Sequence, residues 1–412
     1  MEPTHLTPPS PVESKSLRVL PGSIWALGFG SMFMDMSSEL IHSLLPIFMA
    51  SVLGASMVTI GFVEGVAEAT ASITKVFSGA LSDYLKKRKF LVILGYGLGA
   101  ASKPLFPLST SIAWVLAGRF TDRIGKGIRG APRDALVADL TSPESRGAAY
   151  GLRQSLDSVG AFVGPLLALV LMAWFANHIR SVLWVAVAPA FIAVMLLIVA
   201  VREPDHERPH GVSRSPLTLA KLKVLPIRYW LVVLLGAVFT LARFSEAFLV
   251  LRAQNVGLAI GLVPAVMVVM NVVYALVAYP AGVVSDRFSG RRMLIFGLIV
   301  LVGADVVLAA AITPAHVFAG VALWGLHMGL TQGLLSKLVA DSAPPEVRGT
   351  AFGVFNLVAG CALLVASVLA GVLWNAYSPA MTFVAGAVFA AVSAIGLLAY
   401  RPQHGPRAQE QA

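Results

Sequence analysis

Apolar runs of about twenty residues recur along almost the whole chain, each long enough to cross a hydrocarbon core roughly 30 Å thick. Hydrophobic residues make up 57% of the 412 positions and charged residues only 13%. A soluble domain carries about 25% charged residues, so the surplus apolar surface has to face lipid. The sequence therefore predicts an all-α, multi-pass membrane protein. Its net charge of +10 is read as basic cytoplasmic loops rather than as a nucleic-acid surface. The one cysteine, Cys361, excludes an intrachain disulfide and a cysteine metal site, and is expected to pack inside its apolar run.

Twelve spans are read at 23–51, 57–81, 90–108, 112–138, 147–174, 181–201, 227–253, 258–283, 293–312, 315–339, 350–375 and 379–400. Basic residues cluster in alternate connections. Lys86, Lys87, Arg88 and Lys89 follow the second span, Arg146 the fourth, and Arg287, Arg291 and Arg292 the eighth. The connection after the sixth span is the most basic of all. By the positive-inside bias both termini are expected in the cytoplasm. Residues 1–22 read as a disordered cytoplasmic tail and not as a signal peptide, because no separate apolar region precedes the first span. The expected division is a tail at 1–22, a six-helix half at 23–201, a charged linker at 202–226, a second half at 227–400, and a tail at 401–412.

The chain also repeats itself. ADLTSPESRGAAYG at 138–151 returns as ADSAPPEVRGTAFG at 340–353, and GALSD at 79–83 returns as GVVSD at 282–286, both at offsets of roughly 202 residues. Two parallel six-helix halves related by an axis along the membrane normal are a known transporter plan, with the substrate site between them near the midplane.

The motifs carry a family resemblance as well. Gly79-Ala-Leu-Ser-Asp83 with Lys86-Lys87-Arg88 resembles the basic motif between helices 2 and 3 of the major facilitator superfamily. Gly282-x3-Asp286-Arg287 followed by Gly290-Arg291-Arg292 resembles its second copy between helices 8 and 9, with one residue inserted. Arg119 sits where that superfamily's helix 4 arginine would stand. Gly160-x3-Gly164-Pro165 resembles the helix 5 motif of drug:proton antiporters. The resemblance covers 22–400 and implies alternating access by rocking of the two halves, driven by an ion gradient. Asp83, Lys87, Arg88, Asp286, Arg287 and Arg291 are then expected to act in conformational gating, through charge pairs that break on rocking. Gly160, Gly164 and Pro165 are expected to serve helix packing.

One stretch resists the apolar pattern. Arg119 to Asp139 reads RFTDRIGKGIRGAPRDALVAD and includes Gly125-x-Gly127-x-x-Gly130, the spacing of a dinucleotide-binding turn. That turn needs a strand entering it and a soluble βαβ unit around it, and the sequence has neither. Even parity of crossings between the basic connections after spans 2 and 6 requires a span here. The repeat agrees, because 119–139 aligns with the apolar 321–341. The charges therefore sit on helix 4. At 100° per residue Arg119, Arg123, Lys126, Arg129 and Arg133 fall within an arc of about 120°. Such a stripe has to face a cavity or partner helices. Arg129 and Arg133, near the cytoplasmic end, are expected to snorkel to the surface.

Helix 1 offers Asp35, Glu39 and His42 on one face, and counting rise places Asp35 and Glu39 opposite Lys126 and Arg123. Glu64, Glu68 and Lys75 share a face of helix 2, and Arg153 and Asp157 one of helix 5. The second half offers Arg243, Glu246, Asn271, Tyr274 and Asp305. Glu64, Glu68, Lys75 and Asp305 are read mainly as interhelix ion pairs. Asp35, Glu39, Arg119 and Asp157 are expected to couple protons, since a carboxylate between desolvation and a guanidinium can change protonation as helices move. Arg123, Lys126, His42, Arg243, Glu246 and Asn271 are expected to bind substrate. Met34 and Met36 point away from His42, so no metal site is assigned, and no cofactor is expected.

The resulting expectation is a monomeric, non-enzymatic, proton-coupled transporter of a bacterial inner membrane, moving a small organic solute, with efflux favoured. Its partners are that solute, protons and the bilayer, with no nucleic acid. Proton-driven uptake of an anionic solute or metal chelate is the alternative. A non-transporting receptor on the same fold is a second alternative.

Overall fold

The computed structural model describes residues 20–85, 87–142, 145–202, 222, 224–287, 290–331, 333–344 and 347–399. Residues 1–19 and 400–412 and most of the 202–226 linker lie outside them, as do the side chains of Asp83, Asp286 and Arg287.

The described residues form twelve helical units, and their bounds follow the apolar runs. In the first half they are α1 (Gly22–Ile47), α2 (Met57–Leu85), α3 (Arg88–Ser102, continued by Leu105–Leu108), α4 (Ile112–Asp139), α5 (Arg146–Trp174) and α6 (Ile179–Val185, continued by Val187–Ala200). In the second half they are α7 (Ile227–Leu241 and Ala247–Asn255), α8 (Ala265–Arg287), α9 (Gly290–Ala309), α10 (Pro314–Thr331 and Leu334–Ser342), α11 (Arg348–Ala376) and α12 (Pro379–Ala399). Eight of the twelve are long and apolar enough to cross a membrane on composition alone. The four others are the charge-bearing α1, α2 and α4 and the interrupted α7.

Packing repeats with the sequence. In the first half α4 lies against α2 and α3, while α1 lies against α5 and α6. In the second half α10 lies against α8 and α9, and α7 against α11 and α12. The halves meet through α2 with α11 and α5 with α8. Even the basic motifs do corresponding work. Lys89 Nζ donates to the Ile198 carbonyl at the end of α6 (3.2 Å), and Arg291 donates to the Leu397 and Leu398 carbonyls at the end of α12 (2.7 and 2.6 Å).

Glycines set how closely α1 approaches α5. A Cβ on Gly164 would lie 2.6 Å from the Met36 carbonyl oxygen, and Gly160 faces the Met32 carbonyl in the same way. Only hydrogen side chains allow this backbone-to-backbone contact. The α1 face that carries Asp35 and Glu39 is thereby held at a fixed height beside α4.

Besides the short interruptions in α3 and α6, two spans break more sharply where the sequence predicts continuous helices. The seventh breaks at Ala242–Glu246, and the tenth at Gly333, whose φ of 73° is left-handed and suits glycine. At the first break the freed backbone groups find side-chain partners. Ser245 N–H donates to Ser367 Oγ on α11 (3.2 Å), and Ala247 N–H donates to Ser245 Oγ (3.3 Å). Irregular backbone at this depth is stable only when satisfied in this way. The break turns Arg243 and Glu246 toward the space between the halves. Cys361, expected to pack, is exposed instead.

Candidate functional site in the cavity between the halves

A cavity of about 410 Å³ lies between the two halves. Glu39, His42, Glu68, Arg123 and Lys126 line it from the first half. The wall from the second half is mainly aromatic and apolar, with Phe239, Phe244, Trp324 and Phe355 beside Arg243 and Glu246. At the end away from the linker the halves close on one another. Gln254 Nε2 donates to Ser51 Oγ across them (3.1 Å), and Gly61 and Gly371 bring α2 and α11 into backbone contact. Toward the linker end an adjoining cleft of about 290 Å³ shares Glu39 and Lys126 with the cavity and continues to Arg133 and Asp134. Asp134 at that end is 45% exposed.

The stripe on α4 is largely buried against neighbouring helices. Arg119 forms a short ion pair with Glu64 of α2, and Arg123 lies 3.2 Å from Glu68 one turn along. Asp122 receives a hydrogen bond from Lys103 Nζ of α3 at 2.8 Å, and Lys103 also donates to Ser38 Oγ at 2.9 Å. Arg129 stacks over the Tyr96 ring at 4.4 Å and lies 3.7 Å from Asp35. Arg133 donates to Ser31 Oγ and approaches Asp157 at 4.0 Å. Arg129 and Arg133 therefore do not snorkel, because acids and an aromatic face on α1, α3 and α5 hold them inside the bundle, though one nitrogen of each has no hydrogen-bond partner among the described residues. In low dielectric such pairing is what makes these charges tolerable.

The expected pairing of α1 with α4 is shifted by a turn. Asp35 faces Arg129 and not Lys126, while Arg123 is taken by Glu68. Glu39 instead neighbours His42, whose Nδ1 lies 3.6 Å from its carboxylate. The other imidazole nitrogen lies 3.7 Å from Glu64. Side-chain exposure falls along this row from 24% at Glu39 to 12% at His42 and 0% at Glu64. The row thus runs from the cavity wall to the buried Arg119 pair.

The remaining expected residues are dispersed. Asn271 does not line the central cavity; its amide donates to the Ala161 carbonyl (3.0 Å), and it lines a cleft of about 210 Å³ with Asp35 and Asp157. Asp157 accepts from Arg153 at 2.7 Å. Lys75 is exposed beside the linker-side cleft. Of the gating set, Arg88 bonds the Ala135 carbonyl (3.0 Å) and Asp139 (2.5 Å) on α4, and Arg291 bonds α12, each within its own half. Lys87 is exposed. Pro165 is buried within α5.

Two buried charges stand outside the expected arrangement. Lys103, 1% exposed, is the lone cation of the third span and was the available signal. Asp305, its counterpart about 202 residues on, is fully buried with neither carboxylate oxygen hydrogen-bonded among the described residues. It is therefore not the interhelix ion pair expected of it. Its surroundings differ because Trp324 stands in the second half where Asp122 stands in the first.

Sequence comparison bears on this architecture. The family model of the Major Facilitator Superfamily matches residues 27–269 and 247–412. The chain belongs to the major facilitator superfamily. It is similar to an uncharacterized MFS-type transporter of Methanocaldococcus jannaschii, 34% identical over 92% of this chain and 95% of the relative. It is also similar, at 25% identity over 77% of this chain and 78% of the relative, to the multidrug resistance protein MdtH of Edwardsiella ictaluri. In fold it resembles the crystal structure of a point mutant of the nucleoside transporter NupG, with a TM-score of 0.76 and 13% identity over 91% of this chain and 99% of that one. The superfamily assignment makes the chain a multi-pass membrane transporter.

Proposed function

We propose that the protein is a proton-coupled secondary transporter of the inner membrane that exports a small organic solute as a monomer by alternating access. The observation that carries the coupling is the graded row Glu39–His42–Glu64, which leads from the cavity wall to the buried Arg119. An imidazole between two carboxylates offers a proton a site on either side, and a small helix shift changes which one it favours. Glu39 is the entry group of this row and His42 the relay, while Arg119 anchors the far carboxylate. Asp35 and Asp157 sit beside it in the adjoining clefts and serve the return path. The cavity's closed end and its linker-side opening fit one of the two states that alternation needs, with the linker in the cytoplasm. Export rests on the α5 glycine motif and on the similarity to a multidrug resistance protein.

The test uses proteoliposomes with an acidic lumen and three aromatic solutes. These are naphthalene-2-sulfonate, naphthalene-2-sulfonamide and (2-naphthylmethyl)trimethylammonium. At least one is expected to accumulate in the lumen against its gradient while the lumen becomes more alkaline. Accumulation only when the acid side is outside contradicts export. No proton-linked movement of any of the three contradicts coupled transport.

A further inference from the structure

The charges lining the central cavity are not equivalent. Glu39 is matched by His42 and Glu68 by Arg123, each within ion-pair distance. Lys126 and Arg243 form no ion pair with any acid among the described residues, and both reach the cavity. Lys126 is exposed although it lies mid-helix on α4 between buried neighbours, so its exposure is to the cavity. Arg243 stands at the α7 break with its guanidinium 5.9 Å from the Phe239 ring centroid. One acid, Glu246, lines the same wall; it forms no ion pair among the described residues but feels the charges of His42 and Arg243. With His42 protonated against Glu39, the two cations outnumber Glu246 and leave the cavity with one positive charge in excess.

The two cations also come from different halves, Lys126 from the first and Arg243 from the second. Facing one cavity, they oppose its closing while it is empty, because bringing like charges together out of water is costly. An anion between them reverses that sign and links the halves. The wall beside Arg243 is aromatic, with Phe244 and Trp324 in contact at 5.4 Å between ring centroids, and Phe239 and Phe355 flanking. That surface suits a flat apolar body.

We infer that the transported solute is an amphipathic organic anion whose acidic group is held between Lys126 and Arg243 while its aromatic body lies on Phe239, Phe244 and Trp324. This rests on the transporter reading and narrows it to a substrate class. It also changes the role of Arg123, expected from the sequence to hold the anion: its pairing with Glu68 leaves the anion to Lys126. Glu246 accepts a hydrogen bond or a proton from the rest of the solute.

Thermal stabilisation of the purified protein by the same three solutes tests the inference, because a ligand of the folded state raises its apparent stability. Naphthalene-2-sulfonate is a permanent anion, so the readout carries no titration of the probe. It is expected to stabilise the protein, and the sulfonamide and the ammonium much less. Lys126→Gln and Arg243→Gln are each expected to weaken sulfonate binding by about tenfold or more, as befits loss of a charge-assisted contact. Lys126→Arg is expected to retain binding, and Lys75→Gln, a cation on the neighbouring cleft, to leave it unchanged. Equal or stronger stabilisation by the ammonium, no stabilisation by any probe, or sulfonate binding unaffected in both glutamine variants would overturn the inference. If the ammonium or sulfonamide moves with protons in proteoliposomes while the sulfonate does not, the substrate class fails and the transporter reading stands.

Discussion

Arg119→Ala is expected to leave little folded protein in the membrane. Arg119 is 3% exposed and its partner Glu64 is fully buried, so the substitution leaves a carboxylate in a low-dielectric interior with only the more distant His42 imidazole beside it. Removing one partner of a buried pair costs about 3–5 kcal/mol, whereas replacing both by apolar side chains is often neutral or stabilising. The double variant Glu64→Leu, Arg119→Leu is therefore expected to recover much of the folded yield while losing the interior end of the proton row. Size-exclusion profiles of solubilised membranes and the thermal midpoint of the purified protein read both effects. Wild-type stability in Arg119→Ala would show that the pair does not hold α2 to α4.

The second large effect concerns the glycines of α4. A Cβ on Gly125 would lie 2.5 Å from the Gly95 carbonyl oxygen and 3.0 Å from the Gly99 nitrogen, both backbone atoms of α3 that cannot swing away. Gly125→Ala is expected to force α3 and α4 apart at a cost of roughly 1–3 kcal/mol, the range for overpacking. Lys103 on α3 and Asp122 on α4 would separate with them, loosening the helix that presents Lys126. At Gly130 nothing lies within 4 Å of the added carbon. Gly130→Ala is expected to be neutral or to stabilise by up to about 1 kcal/mol through helix propensity. Thermal midpoints of the two variants check this, and a phosphate-binding loop would instead suffer comparable losses at both positions.

That contrast marks how much of the molecule could be read from residues alone. Helix 4 was legible despite its charges, because parity of basic connections and the internal repeat both required a span there. Its one-sided stripe was legible from helical spacing. Which acid meets which base was not, since counting rise assumes untilted helices of equal entry depth. Gly160 and Gly164 set the height of α1 against α5, and the real register puts Asp35 opposite Arg129. The α7 break was also hidden. Alanine, arginine, phenylalanine and serine at 242–245 carry no helix-breaking signal, and the break is stable because Ser367, far along the chain, accepts the freed Ser245 N–H. Lys103 is hidden for a plainer reason: a single cation in an apolar run has no visible partner until the fold sets Asp122 beside it.

The central claim is that protons enter the transport cycle through Glu39 and His42. Proteoliposomes loaded with a pH-sensitive dye test it most directly, comparing wild type with Glu39→Gln on addition of a solute that the wild type moves. The glutamine is nearly isosteric and Glu39 faces the cavity, so the variant is expected to fold at wild-type levels. It is predicted to exchange labelled solute across the membrane while solute-dependent proton flux falls to that of empty vesicles. Wild-type proton flux in Glu39→Gln would contradict the account.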